Sequence, residues 1–360
     1  MCQRPFIVPV FIPHAGCPHR CIFCNQKLVT GQSEKHLETG NEFSSVAEFL
    51  RYRGRRSGPA EIAFFGGNFL GLPAERIRNL LATASEWVHR AELDGIRFST
   101  RPDTVGSRTL DLINAFPITC VELGVQSMDD DVLRQSHRGH TAADTTVAVQ
   151  RLKGKGYEVG LQLMVGLPGD DEVRLLETSR RIADLSPAFI RIYPTLVLDG
   201  SPLAMWFRAG RYRPLCLDEA VELSMKVYRF FRQRGISVIR TGLQASEELV
   251  AGRGVIAGPF HPAFGHLVQS ACYLAAVREA LRHCPALRDR IELHVHPKGI
   301  ARLCGQGNAN CAALKREFGF SRVRVVADSG LEGDLIVLPD GRIIRVYEPI
   351  PRSWQRDGFS

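Results

Sequence analysis

The chain has no apolar run near the roughly 18 residues a membrane span requires, and no low-complexity tract or internal repeat breaks its 360 residues. The first absence argues against a helical membrane protein, and the second against fibrous, collagen-like or disordered architectures. An apolar leader is missing as well: Pro5 and Pro9 fall where a secretory signal would carry its apolar helix, so the cytoplasm is the expected compartment. There is no acidic surplus, with 38 Asp and Glu against 46 Lys and Arg and a formal net charge of +8. A pI near 9.1 raises the prospect of an anionic partner such as nucleic acid without requiring one. What is present is ordinary globular material, 44% hydrophobic and 23% charged. At about 150 residues per domain it is enough for two domains, or for one large domain with an appendage.

Short β-branched or aromatic runs recur at Phe6 to Ile12, Glu61 to Phe65, Ile96 to Thr100, Cys120 to Val125, Glu158 to Met164 and Phe189 to Tyr193. Between them apolar residues fall at helical spacing, as in Ile77, Leu80, Leu81, Ala84, Trp87 and Val88 behind Pro73, which predicts a helix. Helical connections between strands enforce parallel pairing, so an α/β repeat is expected, either an open wound sheet or a sheet closing toward a barrel. A seventh strand is predicted at Ser237 to Arg240 behind a helix at Leu217 to Arg234, and another helix spans Ala263 to His283. The pattern then changes to strand, short helix, helix, strand over Ile291 to Ala327. A hairpin follows around Pro339-Asp340-Gly341. The expected domains are 1–270, the βα repeat, and 271–360, a small basic α+β unit.

Ten cysteines in a large chain without an export signal favour metal or catalytic roles over disulfides. Three of them share one loop directly after the first strand: Cys17-Pro-His-Arg-Cys21-Ile-Phe-Cys24. Three thiolates so spaced suit three corners of a [4Fe-4S] cluster, which leaves the fourth iron open for chemistry. A zinc site completed by His14 or His19, or three unconnected thiols, are the other readings of the spacing. Cys2, Cys120, Cys216, Cys272, Cys284, Cys304 and Cys311 show no ligand spacing and are expected as reduced, packed thiols.

With Phe23 before its last cysteine, this motif resembles the signature of the radical S-adenosylmethionine (SAM) superfamily. Later segments carry the same resemblance, in the order seen in the branch that holds the Elongator catalytic subunit and oxygen-independent coproporphyrinogen oxidase. They are Phe65-Gly66-Gly67-Asn68, Val121-Glu-Leu-Gly-Val-Gln126, Arg138-Gly-His140-Thr141 and Leu163-Met-Val-Gly-Leu-Pro-Gly169. The resemblance covers roughly residues 6 to 270. Pro13-His14, Ser99-Thr100-Arg101-Pro102-Asp103 and Arg191-Ile-Tyr193-Pro194-Thr195 resemble the Elongator side, and the tyrosine that precedes the cysteine loop in porphyrin oxidases is absent. The resemblance implies a partial (β/α)6 barrel that holds a [4Fe-4S] cluster on Cys17, Cys21 and Cys24. It also implies a SAM site built from Phe23, Gly66, Gly67, Asn68, Arg101, Gln126, Arg138 and Gln162. Gln162 departs from the acid found near this point in the porphyrin enzyme. The implied chemistry is reductive cleavage of SAM to a 5′-deoxyadenosyl radical, fed by an electron donor such as a flavodoxin or ferredoxin, on a tRNA or other RNA. A tetrapyrrole-like small molecule and a non-catalytic RNA-binding role are the alternatives.

Between Arg278 and Arg324 ten Lys or Arg stand against four acids, a net +6 within the chain's +8. Strand, helix, Gly305-Gln306-Gly307-Asn308, helix, strand resembles the core of a KH domain, whose glycine loop clamps a nucleic-acid backbone. Asn308 stands at the second glycine, and Lys315 and Arg316 follow on the next helix. Arg302-Leu-Cys-Gly305-Gln-Gly307 also fits the R-x-x-G-x-G pattern of acetyl-CoA sites, but too few strands precede it. Trp206, Phe207, Arg208, Arg211, Tyr212 and Arg213 interleave aromatics with arginines and suit either base stacking or a packed lid. Arg51, Arg53, Arg55 and Arg56 read as a helix end, and His261 and His266 as loop residues rather than a second metal site.

Overall fold

A computed structural model describes residues 5–12, 15–18, 20–25, 28, 42–54, 58–243, 254–283 and 289–348. Cys2, Pro13, His14, His19, Arg55, Arg56 and Cys284 lie outside the described residues. The chain forms two compact units, Met1–Cys216 with Leu243–Pro262, and Leu217–Gly242 with Ala263–Ser360.

In the first unit β1 (Phe6–Phe11), β2 (Ala60–Phe65), β3 (Gly95–Thr100), β4 (Ile118–Gln126), β5 (Glu158–Val165) and β6 (Phe189–Pro194) pair in parallel, in sequence order. Helices occupy the crossovers: α1 (Val46–Arg53), α2 (Ala74–His89), α3 (Ser107–Ile113), α4 (Asp130–Gln135), α5 (Ala142–Gly154) and α6 (Glu172–Asp184). This is the partial (β/α)6 barrel expected from the sequence. The stripe that predicts α2 is the one it buries, Ile77, Leu80, Leu81 and Ala84. The Asp129, Thr141 and Asp171 side chains cap α4, α5 and α6 by accepting first-turn amides, and Thr141 with Asp144 forms a reciprocal capping box.

Strand alternation sorts the sheet's two faces. Ile62, Phe64, Ile96, Phe98, Val121, Leu123, Leu161, Leu163, Ile190 and Ile192 are fully buried and build the apolar layer. The alternate positions Glu61, Arg97, Glu122, Gln162 and Arg191 carry a polar network across five strands. Arg97 Nε donates to Glu61 Oε2 at 2.6 Å and Nη1 to Glu122 Oε1 at 3.3 Å. Arg191 Nη2 donates to Glu122 Oε1 at 2.8 Å, and Gln162 Nε2 to Glu122 Oε2 at 3.0 Å. A two-residue strand, β7 (Val197–Leu198), pairs antiparallel with β9 (Val255–Ala257). Both are too short for their periodicity to show in the sequence.

In the second unit α8 (Leu217–Gln233) precedes β8 (Ser237–Thr241), the expected seventh strand. Residue 270 falls inside α9 (Phe264–Arg282), so packing groups the chain differently from a division at 270. Arg229 on α8 donates to Glu279 on α9 at 3.1 Å, and Tyr273 on α9 donates to Asp334 at 2.7 Å. These contacts gather both helices with the C-terminal sheet. There β10 (Arg290–Val295) pairs in parallel with β11 (Arg322–Ala327), and β12 (Leu335–Val337) and β13 (Ile343–Arg345) form an antiparallel hairpin beside β10. Two short helices, α10 (Ile300–Cys304) and α11 (Ala309–Phe318), join β10 to β11.

Candidate SAM and iron–sulfur site

The C-terminal ends of β1 to β4 meet around the cysteine loop, where parallel βα folds place ligands. Cys21 is buried, while Cys17 and Cys24 are half-buried. Burial, then the neighbouring Cys21 and Cys17 thiolates, pushes the Cys24 thiol up to about 12. Cys17 is raised for the same two kinds of reason, burial first and Cys21 next, and is relieved in part by Arg101 and Arg138. Among the described residues no trio of His, Cys, Asp or Glu side chains converges on one point as a single-ion site would demand. Thiolates of a [4Fe-4S] cluster bind separate irons and need no such convergence. Three soft donors on one loop, flanked by two guanidiniums, suit a cluster of this kind.

The glycine pair works by close approach. A Cβ on Gly67 would lie 2.5 Å from the Ile12 carbonyl oxygen and 2.6 Å from that of Ala15, so a side chain there would push the start of the cysteine loop away from β2. Gly66 turns the chain at φ +94°. The resemblance implies that the backbone of this segment receives the methionine amino group; the Asn68 side chain itself is fully buried and committed to protein. Its Nδ2 donates to the Gly16 carbonyl at 2.8 Å, and its Oδ1 accepts from Thr100 Oγ1 at 2.7 Å, Arg101 N at 3.0 Å and Thr104 Oγ1 at 3.0 Å. Asn68 thus ties the thiol loop to the ends of β2 and β3.

At the end of β4 the pairing with β5 shifts register between Gly124 and Gln126, and Gln126 takes φ +71°. Such a bulge re-aims a side chain. A Cβ on Gly124 would stand 3.1 Å from Gln126 Nε2 and 3.4 Å from Arg138 Nη2, so the glycine clears their path. Arg138 Nη1 donates to Cys21 Sγ at 2.9 Å, and Nη2 donates to the Gly124 carbonyl. Arg101 holds Asp103 with both Nε, at 2.9 Å, and Nη2, at 2.8 Å, and also donates to the Arg138 carbonyl.

Several buried polar atoms here lack partners: Arg101 Nη1, Gln126 Oε1 and Arg138 Nε. Buried groups are rarely left so, and these cluster beside the thiols, where a zwitterionic ligand with ribose hydroxyls would satisfy them. The donor set fits SAM. His140 is missing from the residues read as site members, although the Arg-x-His spacing that carries it is visible. Burial, then the Arg138 charge, lowers it to about 3, so it is a neutral imidazole at physiological pH.

The other predicted members lie elsewhere. Gln162 is engaged with Glu122 rather than free for a ribose. Phe23 packs against Val132, Met164 and Leu167, which anchors the loop's last turn on α4 and β5. In the second unit Gly305 and Gly307 have φ +74° and +58°, and Asn308 adopts the same left-handed backbone at +62°, as asparagine tolerates. Gln306, Gly307, Asn308, Lys315 and Arg316 are exposed. Arg302 donates to Asp334 at 2.9 Å.

A cysteine loop over a parallel half-barrel, with a buried arginine fork on one thiol, defines an iron–sulfur enzyme of the SAM-dependent type. The comparisons agree: the Radical SAM superfamily model matches residues 11–182 and the Radical_SAM C-terminal domain model residues 187–273, and the chain belongs to this superfamily of enzymes. A tRNA uridine(34) acetyltransferase of Dehalococcoides mccartyi is 28% identical over 241 residues, 58% of this chain and 52% of that protein. Elongator complex protein 3 of Drosophila melanogaster is 31% identical over 228 residues, 55% of this chain and 41% of that protein. The match thus spans about half or less of these relatives. A solved structure of the archaeal Methanocaldococcus infernus Elp3 shares the fold at TM-score 0.58 and 21% identity, over 75% of this chain and 63% of that one. The superfamily uses a [4Fe-4S] cluster and SAM, and among the described residues no helix is long and apolar enough to cross a membrane.

Proposed function

We propose that this enzyme holds its cluster on Cys17, Cys21 and Cys24 and modifies an RNA, with tRNA as the substrate class. The observation that carries the reading is the Arg138 fork. One nitrogen is on the Cys21 sulfur at 2.9 Å, while Arg138 Nε, Gln126 Oε1 and Arg101 Nη1 are all buried without partners. Together, cluster and SAM supply reductive cleavage of a sulfonium bond to give a 5′-deoxyadenosyl radical. The chain's own part is to orient and to exclude water. Arg138 and Arg101 offer planar donors suited to a carboxylate, Gln126 and His140 offer polar atoms to hydroxyls, and the buried surroundings keep competing donors out. The RNA half of the reading draws on relatives named for tRNA uridine(34) and on the exposed Gly305 to Asn308 loop with Lys315 and Arg316. Acetyl transfer is not included, because Arg302 is spent on Asp334.

The test is anaerobic reconstitution with iron and sulfide, followed by dithionite or a reduced flavodoxin or ferredoxin, SAM, and tRNA from cells lacking the protein. The expected result is 5′-deoxyadenosine together with a new modified nucleoside, both lost in Cys21→Ala. Four irons bound per chain with no SAM cleavage, with or without RNA, would overturn the catalytic reading.

A further inference from the structure

A group of exposed side chains stands beside the thiol loop with no part in the site above. The helix α7 (Pro202–Arg208) is fastened to that loop by the Leu203 amide, which donates to the Ile22 carbonyl at 2.7 Å. Trp206 packs on the cluster formed by Ile22, Val197, Leu203, Ala204 and Tyr212. The Arg211 guanidinium lies over the Trp206 ring, 4.8 Å from its centroid, and the His137 ring meets Trp206 edge-on with centroids 6.1 Å apart. Arg211 and His137 are both exposed, and among the described residues no carboxylate pairs with Arg211. His137 takes φ +52° as the residue just past the end of α4, where the following Arg138 amide donates back to the Leu133 carbonyl at 3.0 Å, so the helix end fixes where its ring stands. Each support of this group is one residue from the thiol chemistry: Ile22 follows Cys21, and Arg138, which donates to the Cys21 sulfur, follows His137.

A guanidinium stacked on an indole offers its outer face as a flat, cationic surface. That surface attracts a π system flanked by negative charge and repels a cationic or purely aliphatic ligand. Arg208, the last residue of α7, is paired with Asp199 at 3.1 Å. We propose that Arg211, braced by Trp206 and bordered by His137, is a stacking platform that holds an unpaired nucleobase of the RNA substrate at the entrance to the site. This rests on the RNA reading under Proposed function. On this reading Trp206 is the packed support, and Arg211 and His137 are the exposed face.

The test uses the full reconstituted protein and a fluorescein-labelled RNA hairpin with a uridine-rich loop, compared by anisotropy with hairpins abasic at each loop position in turn. For the wild type, one abasic position is expected to weaken binding about tenfold, the range of a single stacked base. Arg211→Ala should bind the parent hairpin about tenfold more weakly and lose the abasic effect at that position. Arg211→Lys keeps the charge but not the plane, and is expected to behave as the alanine variant does. His137→Asn removes the ring while keeping the turn, and should reduce the same abasic effect without affecting iron content. Equal abasic effects in wild type, Arg211→Ala and His137→Asn would overturn the platform and leave the RNA reading intact. Failure of the wild type to bind the parent hairpin or tRNA would overturn the RNA reading, and the platform with it.

Discussion

Arg138 divides one guanidinium between the Cys21 sulfur and the Gly124 carbonyl and keeps a third nitrogen unpartnered. A point charge cannot do this, so Arg138→Lys is expected to retain its iron but to lose about 1.5–3 kcal/mol of charge-assisted bonding to SAM. Kinetics should show this as a rise in the KM for SAM of tenfold or more, and an unchanged KM would contradict the role. His140 predicts a pH effect of definite sign. Its folded pKa of about 3 lies below the value near 6.5 of an unfolded histidine. The unfolded chain therefore takes up a proton as pH falls through about 6.5, and the folded chain does not until about 3. Its contribution to stability is complete above that window and lost on acidification within it, at up to about 1.4 kcal/mol per pH unit. Urea melts at pH 7.5 and 5.5 should drop less for His140→Gln than for the wild type.

At the scale of elements, the strands of the half-barrel are joined by charge as well as by backbone. Glu122 lies fully buried between Arg97 and Arg191, so Glu122→Ala leaves two guanidiniums without their shared acid. The expected loss is about 3–5 kcal/mol, measured by denaturant titration; Glu122→Gln, which keeps the side chain's shape and one of its two acceptor oxygens, should lose less. The strands and crossover helices were legible in the sequence because their apolar residues keep periods of two and of three to four. The cysteine loop was legible because its spacing is local. The Glu122 network was not, since nothing in the sequence says which of Glu61, Arg97, Gln162 and Arg191 will face one another across five strands. For the same reason the motifs do not reveal the long-range contacts that the Gln162 and Asn68 side chains make. The Arg-x-His spacing is local, but the burial that keeps His140 neutral depends on the long-range fold and is not legible in it.

For the whole molecule, the positive surplus is only partly free to meet an anionic partner. In the basic C-terminal stretch Arg278 pairs with Glu317 at 2.6 Å, Arg302 with Asp334 at 2.9 Å and Arg324 with Glu292 at 3.1 Å. Lys298, Lys315, Arg316 and Arg322 remain without a carboxylate among the described residues. Lys315 and Arg316 follow the Gly305 to Asn308 loop, and if they meet phosphates, replacing both with alanine should reduce the slope of log K for RNA against log salt by about two. An unchanged slope would place the phosphate contacts elsewhere. The clasp of Gly67 and Asn68 on the start of the cysteine loop concerns the life of the protein before any iron arrives. Backbone approach and the Asn68 amide hold that stretch, so iron shortage is expected to leave a folded reserve of empty enzyme rather than an unfolded chain marked for degradation. Chelation should therefore abolish SAM cleavage and leave the far-ultraviolet circular dichroism nearly unchanged, and returning iron and sulfide should restore activity without a refolding step.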